Sequence, residues 1–255
     1  MNILVIGDII GKPGRKSLRE ILPGLRCEHD VDMVIANGEN AAGGVGLTSI
    51  IAHEMFDTGV DVITSGNHIW AHKEIIPYLD SDMAILRPLN YPAINPGRGY
   101  LLKHEVLVVN LIGRTFMGNF DCPFRAMDQL LGNLEVRPNI VIVDFHAEAT
   151  SEKVAMGRYL DGRVSAVLGT HTHVGTIDSS ILPDGTAYVT DIGMVGPVNG
   201  VIGDDTDDVI NRFLTQVPSR LSVGRGKVTF NAILVQVDGK TGKAVDIRRI
   251  QRETE

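Results

Sequence analysis

Met33-Val34-Ile35-Ala36-Asn37-Gly38-Glu39-Asn40 decides how this chain is read: four apolar residues stop abruptly at an amide, a glycine, a carboxylate and a second amide. A short apolar run bounded by such residues predicts a buried strand. The same arrangement recurs on both sides. Ile3–Ile6 runs into Gly7-Asp8, and Val62–Thr64 into Ser65-Gly66-Asn67-His68. Ile140–Val143 runs into Asp144-Phe145-His146, and Val164–Leu168 into Gly169-Thr170-His171-Thr172-His173. Five predicted strands therefore each deliver metal-capable side chains at their carboxyl ends, the edge where open α/β sheets bind ligands.

Helical patterns separate these strands. Arg15–Arg26 places Leu18, Ile21, Leu22 and Leu25 on one face, Leu47–Phe56 starts near Thr48 or Ser49, and Ala71–Leu79 is again helical. Strand and helix in alternation predict βαβ units and a largely parallel α/β sheet. The prolines and glycines of Arg87–Gly99 predict a loop, Tyr100–Leu111 a β segment, and Phe124–Leu131, Val154–Leu160 and Asp207–Leu214 helices. From Ile177 onward strand pairs turn at Pro183-Asp184-Gly185 and Asp238-Gly239. With no linker or repeat, residues 1–255 read as one domain of two packed sheets flanked by helices.

Composition narrows the function. A net charge of −7 argues against a broad electrostatic grip on duplex nucleic acid, but an anionic substrate remains compatible if bound cations supply local positive charge. Two distant cysteines, Cys27 and Cys122, exclude a disulfide framework and make the cytoplasm the expected compartment. Met1–Gly7 reads as a strand rather than a leader, and no apolar run reaches the roughly 20 residues of a membrane span. The apolar stretch Gly193–Ile202 suits either an interface in a homo-oligomer or a wall of the substrate site.

Carboxylate, carboxamide and imidazole donors without thiolate suit Fe, Mn, Zn, Co or Ni, and their number exceeds what one tetrahedral ion needs. Two dications about 4 Å apart repel by roughly 17 kcal/mol at an effective dielectric of about 20, so a bridging anion is required. Glu39, with two oxygens, is the candidate, and a bridging hydroxide would be the nucleophile. His171 and His173 lie two apart, which on an extended segment puts both on one side. His29, His53 and His104 carry no such signal, while His72 and Trp70 stand near enough in sequence to line a pocket or simply pack. Gly7-Asp8-Ile9-Ile10-Gly11-Lys12-Pro13 is one residue too short for a P-loop and has Pro13 at its Ser/Thr position. The glycines Gly43, Gly44 and Gly46 complete no dinucleotide fingerprint either.

Gly66-Asn67-His68 and His171-Thr172-His173 resemble motifs of the calcineurin-like metallophosphoesterase superfamily. Ile10 stands where that superfamily has a metal-binding His, and Glu39 where it has a bridging Asp. With Asn37-Gly38-Glu39-Asn40, Gly169–His173, Gly113–Met117 and Thr190–Met194, the likeness is to its YmdB-like branch of bacterial 2′,3′-cyclic-nucleotide phosphodiesterases, over nearly the whole chain. The resemblance implies a four-layer α/β/β/α sandwich of two mixed sheets. It implies one metal on Asp8, Glu39, Asn40 and His173, with Asn40 filling the gap left by Ile10. A second metal would sit on Glu39, Asn67, His146 and His171. It also makes His68 the proton donor to the leaving oxygen, a role that suits an imidazole. The implied substrate is a small anionic phosphoester, a cyclic nucleotide. Phosphomonoesters fit the same site, and a regulatory RNA- or nucleotide-binding module with weak activity is the reading from another class.

Overall fold

The computed structural model describes residues 1–136 and 138–255. In chain order the elements are β1 (Asn2–Ile6), β2 (Asp8–Ile9), α1 (Gly11–Glu28), β3 (Met33–Asn37), α2 (Ser49–Asp57), β4 (Val62–Thr64) and α3 (Ile76–Leu79). There follow β5 (Tyr100–Lys103), β6 (Val106–Ile112), α4 (Pro123–Asn133), β7 (Ile140–His146), α5 (Thr150–Leu160), β8 (Ala166–Thr170), β9 (Ser180–Ile181) and β10 (Ala187–Val189). The chain finishes with β11 (Met194–Pro197), α6 (Thr206–Thr215), β12 (Val228–Val237) and β13 (Ala244–Thr254).

Strand parity builds the layers. Successive strand residues point to opposite faces. In β1, Leu4 and Ile6 pack outward with Leu18, Leu22 and Leu25 of α1 and Ala52 and Met55 of α2, while Ile3 and Val5 pack inward. In β7, Ile140 and Ile142 meet that inner layer, whereas Val141, Val143 and Phe145 face Met127 and Leu130 of α4 and Met156 and Leu160 of α5. Three apolar layers between four layers of secondary structure make the α/β/β/α sandwich that the resemblance implies. One sheet runs β2-β11-β12-β1-β3-β4, with β13 on the other side of β12, and the second runs β5-β6-β7-β8-β10-β9. Both are mixed: β1 is parallel to β3 and antiparallel to β12, and β7 is parallel to both its neighbours, while β5 is antiparallel to β6. No described helix is long and apolar enough to cross a membrane.

Several elements depart from the sequence reading for identifiable reasons. The helix expected at Arg15–Arg26 begins at Gly11, because Pro13 in the first turn lacks only an N–H that has no helical partner there. The β segment expected over Tyr100–Leu111 is a hairpin, broken by His104 and Glu105 with φ of 48° and 65°. The Ala71–Leu79 helix is a 3₁₀ turn over Lys73–Ile75 followed by the short α3, with Pro77 in the first α-helical turn. Thr48 does cap α2, accepting from the Ile51 N–H at 3.3 Å. The five chemistry-bearing strands do not share one sheet: β1, β3 and β4 lie in the first, and β7 and β8 in the second. Their carboxyl ends meet across the inner layer.

That layer closes in a polar knot. Continuing the inward parity, Ile35 is followed by Asn37, Val62 by Thr64, Ile142 by Asp144 and Leu168 by Thr170. The Asp144 carboxylate accepts from the Thr64 hydroxyl at 2.5 Å, the Thr170 hydroxyl at 2.7 Å and the Asn37 amide at 3.1 Å. All four side chains are buried. Burial pushes the Asp144 carboxyl up to about 6, while the Thr64 and Thr170 hydroxyls and the nearby His146 oppose the rise. Asp144→Ala orphans three buried donors at once, at about 1–3 kcal/mol per unsatisfied group. We expect a loss of about 3 kcal/mol in urea unfolding, against about 1 kcal/mol for the neighbouring Ile142→Val. Equal losses would show that the knot carries no special weight.

Candidate metal centre

The knot passes its order directly to the site above it. Asn37 donates to Asp144 with its amide N–H, and its Oδ1 accepts the Glu39 backbone N–H at 3.0 Å. Thr170 donates to Asp144 and stands 3.0 Å from His146 Nδ1. That contact assigns the His146 proton to Nδ1 and turns Nε2 toward Glu39 Oε2, 3.2 Å away. His171 Nε2 meets the Glu148 carboxylate at 3.1 Å, which leaves Nδ1 facing His146 Nε2 at 3.0 Å. His173 Nδ1 donates to the Ile202 carbonyl at 2.7 Å, leaving Nε2 3.7 Å from Asp8 Oδ1 and 3.1 Å from the Asn40 amide group. In each ring the outer nitrogen is fixed by an acceptor and the other nitrogen converges on the centre. Partners of this kind set tautomer and orientation in metal-binding histidines.

Glu39 is buried, with Oε1 3.0 Å from His68 Nδ1 and Oε2 toward His146. His68 Nδ1 also lies 2.9 Å from Asn40 Oδ1, and the ring is partly exposed on a cleft of about 620 Å³. His68 thus holds the carboxylate that follows β3 while its ring stands on the cleft wall. Asp8 Oδ2 accepts the His171 N–H at 3.1 Å, whereas Asp8 Oδ1 is buried without a hydrogen-bond donor among the described residues. Asn67 Oδ1 is equally orphaned. Gly66 beside it is obligatory: a Cβ there would stand 1.9 Å from Glu39 Oε2 and 2.4 Å from His146 Nε2. Orphaned buried oxygens have a cost unless a cation or donor meets them. Ligand atoms of Glu39, His146 and His171 lie within 4.8 Å of one another, so the donor set fits metal ions.

Seven of the eight side chains singled out from sequence, Asp8, Glu39, Asn40, His68, His146, His171 and His173, contact one another around one point, and Asn67 follows Gly66 at its edge with a buried, unpartnered oxygen. His171 and His173 do not project from one side of an extended segment, as their spacing predicts. Strand β8 stops at Thr170, and His171 and His173 have φ of 100° and 65°. The two rings therefore diverge, His171 toward His146 and His173 toward Asp8 and Asn40. Ile10 is buried beneath Gly196 and Gly203, and Asn40 occupies the space between His68 and His173. His72 lines the cleft and contacts the Val45 carbonyl, whereas Trp70 packs edge-on against Tyr91. Of Gly193–Ile202, Met194–Pro197 is buried in the first sheet and Ile202 lines the cleft.

Sequence reasoning missed the fastening of the His171–His173 turn. Lys153 is fully buried and donates to Asp191 Oδ2 at 2.6 Å and to the Thr170 carbonyl at 2.7 Å. The same Asp191 oxygen accepts the Thr172 hydroxyl at 2.8 Å and its N–H at 3.2 Å, and Asp191 Oδ1 accepts the Gly193 N–H. A lysine on a helix gives no sequence sign of burial. Asp191 stands within Thr190–Met194, where nothing local marks its role.

Similarity to known proteins agrees with this geometry. Residues 4–250 match the family described as YmdB-like protein. The chain belongs to that family. It is 48% identical over 254 residues to the 2′,3′-cyclic-nucleotide 2′-phosphodiesterase of Bacillus subtilis, covering 98% of this chain and 96% of that one. Among solved structures it is similar to a hypothetical protein from Thermus thermophilus, with a TM-score of 0.94, 44% identity and complete coverage of both chains. A novel phosphatase from Mycoplasma pneumoniae is similar with a TM-score of 0.93 and 32% identity, covering 99% of this chain and 93% of that one.

Electrostatics make metal uptake a proton exchange. Burial works against a charged His146, but Glu39, Asp8 and Asp144 outweigh it and lift the imidazole to about 9. Burial and the facing His146 push His171 down to about 3. Burial also opposes ionisation of Glu39, yet His146 and His68 hold its carboxyl below the ordinary range. Below pH 9 the ion-free cluster therefore keeps a proton on His146, which a metal must displace. Mn²⁺ titrated at pH 7.5 should release about one proton per cluster, and affinity should rise with pH until about 9. Calorimetry in buffers of different ionisation enthalpy measures this; uptake without proton release would remove His146 from the ligand set. Lys153→Met leaves Asp191 buried and unpaired. We expect a lower melting temperature and metal affinity weakened by about 10–100-fold. Unchanged affinity would show that the turn holds itself.

Proposed function

We propose that this chain is a two-metal phosphodiesterase that hydrolyses nucleoside 2′,3′-cyclic phosphates. The observation that carries the reading is the set of three imidazoles whose outer nitrogens are all fixed, converging with the two-sided Glu39 carboxylate and two orphaned buried oxygens. On this reading Asp8, Glu39, Asn40 and His173 hold one ion, and Glu39, Asn67, His146 and His171 the other. The O/N donor set suits iron or manganese first, with zinc, cobalt and nickel also accommodated. Bound there, the ions neutralise phosphoryl charge and activate water.

The protein's own groups do the rest. Glu39 Oε1 and Asn40 fix His68 through Nδ1, which leaves Nε2 for the substrate side of the cleft. The oxygen of water bonds to phosphorus as one of its protons passes to solvent, the bond from phosphorus to the ribose 2′ oxygen breaks, and His68 gives its proton to that oxygen and regains one from solvent. The product is a 3′-phosphate. The name of the Bacillus subtilis relative supports the cyclic substrate and the bond broken. A phosphomonoester fits the same donors, and the likeness to the Mycoplasma pneumoniae phosphatase favours keeping that second reading.

Hydrolysis of 2′,3′-cyclic AMP with Mn²⁺, beside a phosphomonoester, tests the proposal. Glu39→Gln should lower kcat on the order of 10³-fold or more, about 4 kcal/mol of barrier, with the melting temperature retained. Full activity with normal metal content would exclude Glu39 as the bridge. His68→Ala should cost about 10²–10⁴-fold, and less on an ester whose leaving group needs no proton. An equal loss on both esters would remove His68 as the acid.

A further inference from the structure

Two arginines line the cleft beside Glu39, His68 and His173 without serving any of them. Arg212 sits in the last turn of α6 and Arg220 five residues past that helix. Both are exposed. Among the described residues neither side chain makes a hydrogen bond or a close ion pair, although Arg212 feels the charge of Asp204 across the cleft. Other arginines of this fold are tied down: Arg15 and Arg19 to Glu54, Arg87 to the carbonyls of Pro88 and Pro96, Arg249 to those of Thr176, Asp191 and Ile192. Arg114, Arg125, Arg158 and Arg225 are not, but none of them lines this cleft. A cation in a last helical turn is favourable in itself. That accounts for Arg212 but not for Arg220, which stands outside the helix.

The rest of the cleft says what such a pair would meet. The reacting phosphate has the metal-binding donors Asp8, Glu39, Asn40 and Asn67 and the three histidines on its side. The same cleft is lined by the exposed apolar side chains of Val45 and Ile202, surfaces for ribose and base, and by the half-buried Asp204, whose charge Arg212 faces. In a chain of net charge −7, two guanidinium groups inside one cleft draw anions to that part of its wall. The guanidinium fork matches a phosphate in bidentate fashion. A cyclic mononucleotide has a single phosphate and leaves both forks without a phosphate to bind.

We propose that the cleft takes substrates carrying a second phosphate one ribose away from the cyclic one, and that Arg212 and Arg220 bind it. The inference rests on the phosphodiesterase reading above and names its substrate class. The same chemistry comes from two sources: the 3′ end of an RNA chain closed as a cyclic phosphate, or a cyclic mononucleotide bearing a 5′-phosphate.

The test compares kcat/KM of the Mn²⁺-loaded enzyme on three substrates: adenosine 2′,3′-cyclic phosphate, its 5′-phosphorylated form, and an adenosine dinucleotide ending in the cyclic phosphate. The two substrates with a second phosphate should exceed the first by about tenfold or more, the scale of one charge-assisted hydrogen bond. That advantage should shrink in 0.5 M NaCl. It should fall to within about twofold in Arg212→Ala/Arg220→Ala and survive in part in the Arg→Lys pair. A dinucleotide faster than the 5′-phosphorylated nucleotide identifies the RNA end as the source; equal rates identify the phosphate itself. No advantage in the wild type, or a variant that slows all three substrates equally, overturns the inference while leaving the phosphodiesterase reading intact. Inactivity on all three overturns that reading, and this inference with it.

Discussion

The carboxylate of Asp144 is the constraint on which the site depends. Two sheets packed face to face are held by apolar contact, which is strong but says little about register. The inner layer ends where Ile35, Val62, Ile142 and Leu168 give way to Asn37, Thr64, Asp144 and Thr170. A buried carboxylate must collect donors or be neutralised. Asp144 collects them from β3 and β4 of the first sheet and β8 of the second, so satisfying one charge locks both sheets at that height. The two donors it takes from Asn37 and Thr170 do double duty. Asn37 also holds the Glu39 backbone, and Thr170 also sets the His146 tautomer. A group that touches no substrate thereby orients two that stand at the centre.

Much of this was legible because it follows from parity. The residue two beyond the last inward apolar position still points inward, so Asp144 and His146 after Ile140 and Ile142 were bound to face the other sheet. The termini of β3 and β4 obey the same rule. What stayed hidden depends on contacts between distant segments. Nothing local distinguishes β1, β3 and β4 from β7 and β8 as members of different sheets; their separation is decided by β12, which returns antiparallel beside β1. Gly14 lies inside α1, where a Cβ would stand 2.3 Å from the Val195 carbonyl. Close packing of α1 on β11 explains that glycine. Lys153 looks like any exposed lysine on α5, and only Asp191, 38 residues later, reveals its burial.

The His171–His173 turn shows why a strained backbone belongs at this place. Alternate residues on a strand project to the same side roughly 7 Å apart, which would serve two ions poorly if each needs its own ring from a different direction. Left-handed φ at His171 and His173 swings the rings apart, and a third non-glycine residue with φ of 49°, Ile202, supplies the carbonyl that aims His173. Each such residue costs on the order of 1–3 kcal/mol and persists only where its surroundings over-determine it. Here the surroundings are the Lys153–Asp191 pair beneath Thr172 and the His171 N–H on Asp8. The buried ion pair is thus better understood as a clamp on a strained turn than as a source of stability, since apolar replacements of buried pairs are often neutral or stabilising. Its carboxylate holds Thr172 by both hydroxyl and N–H, and an apolar residue at 191 has no group that can do so.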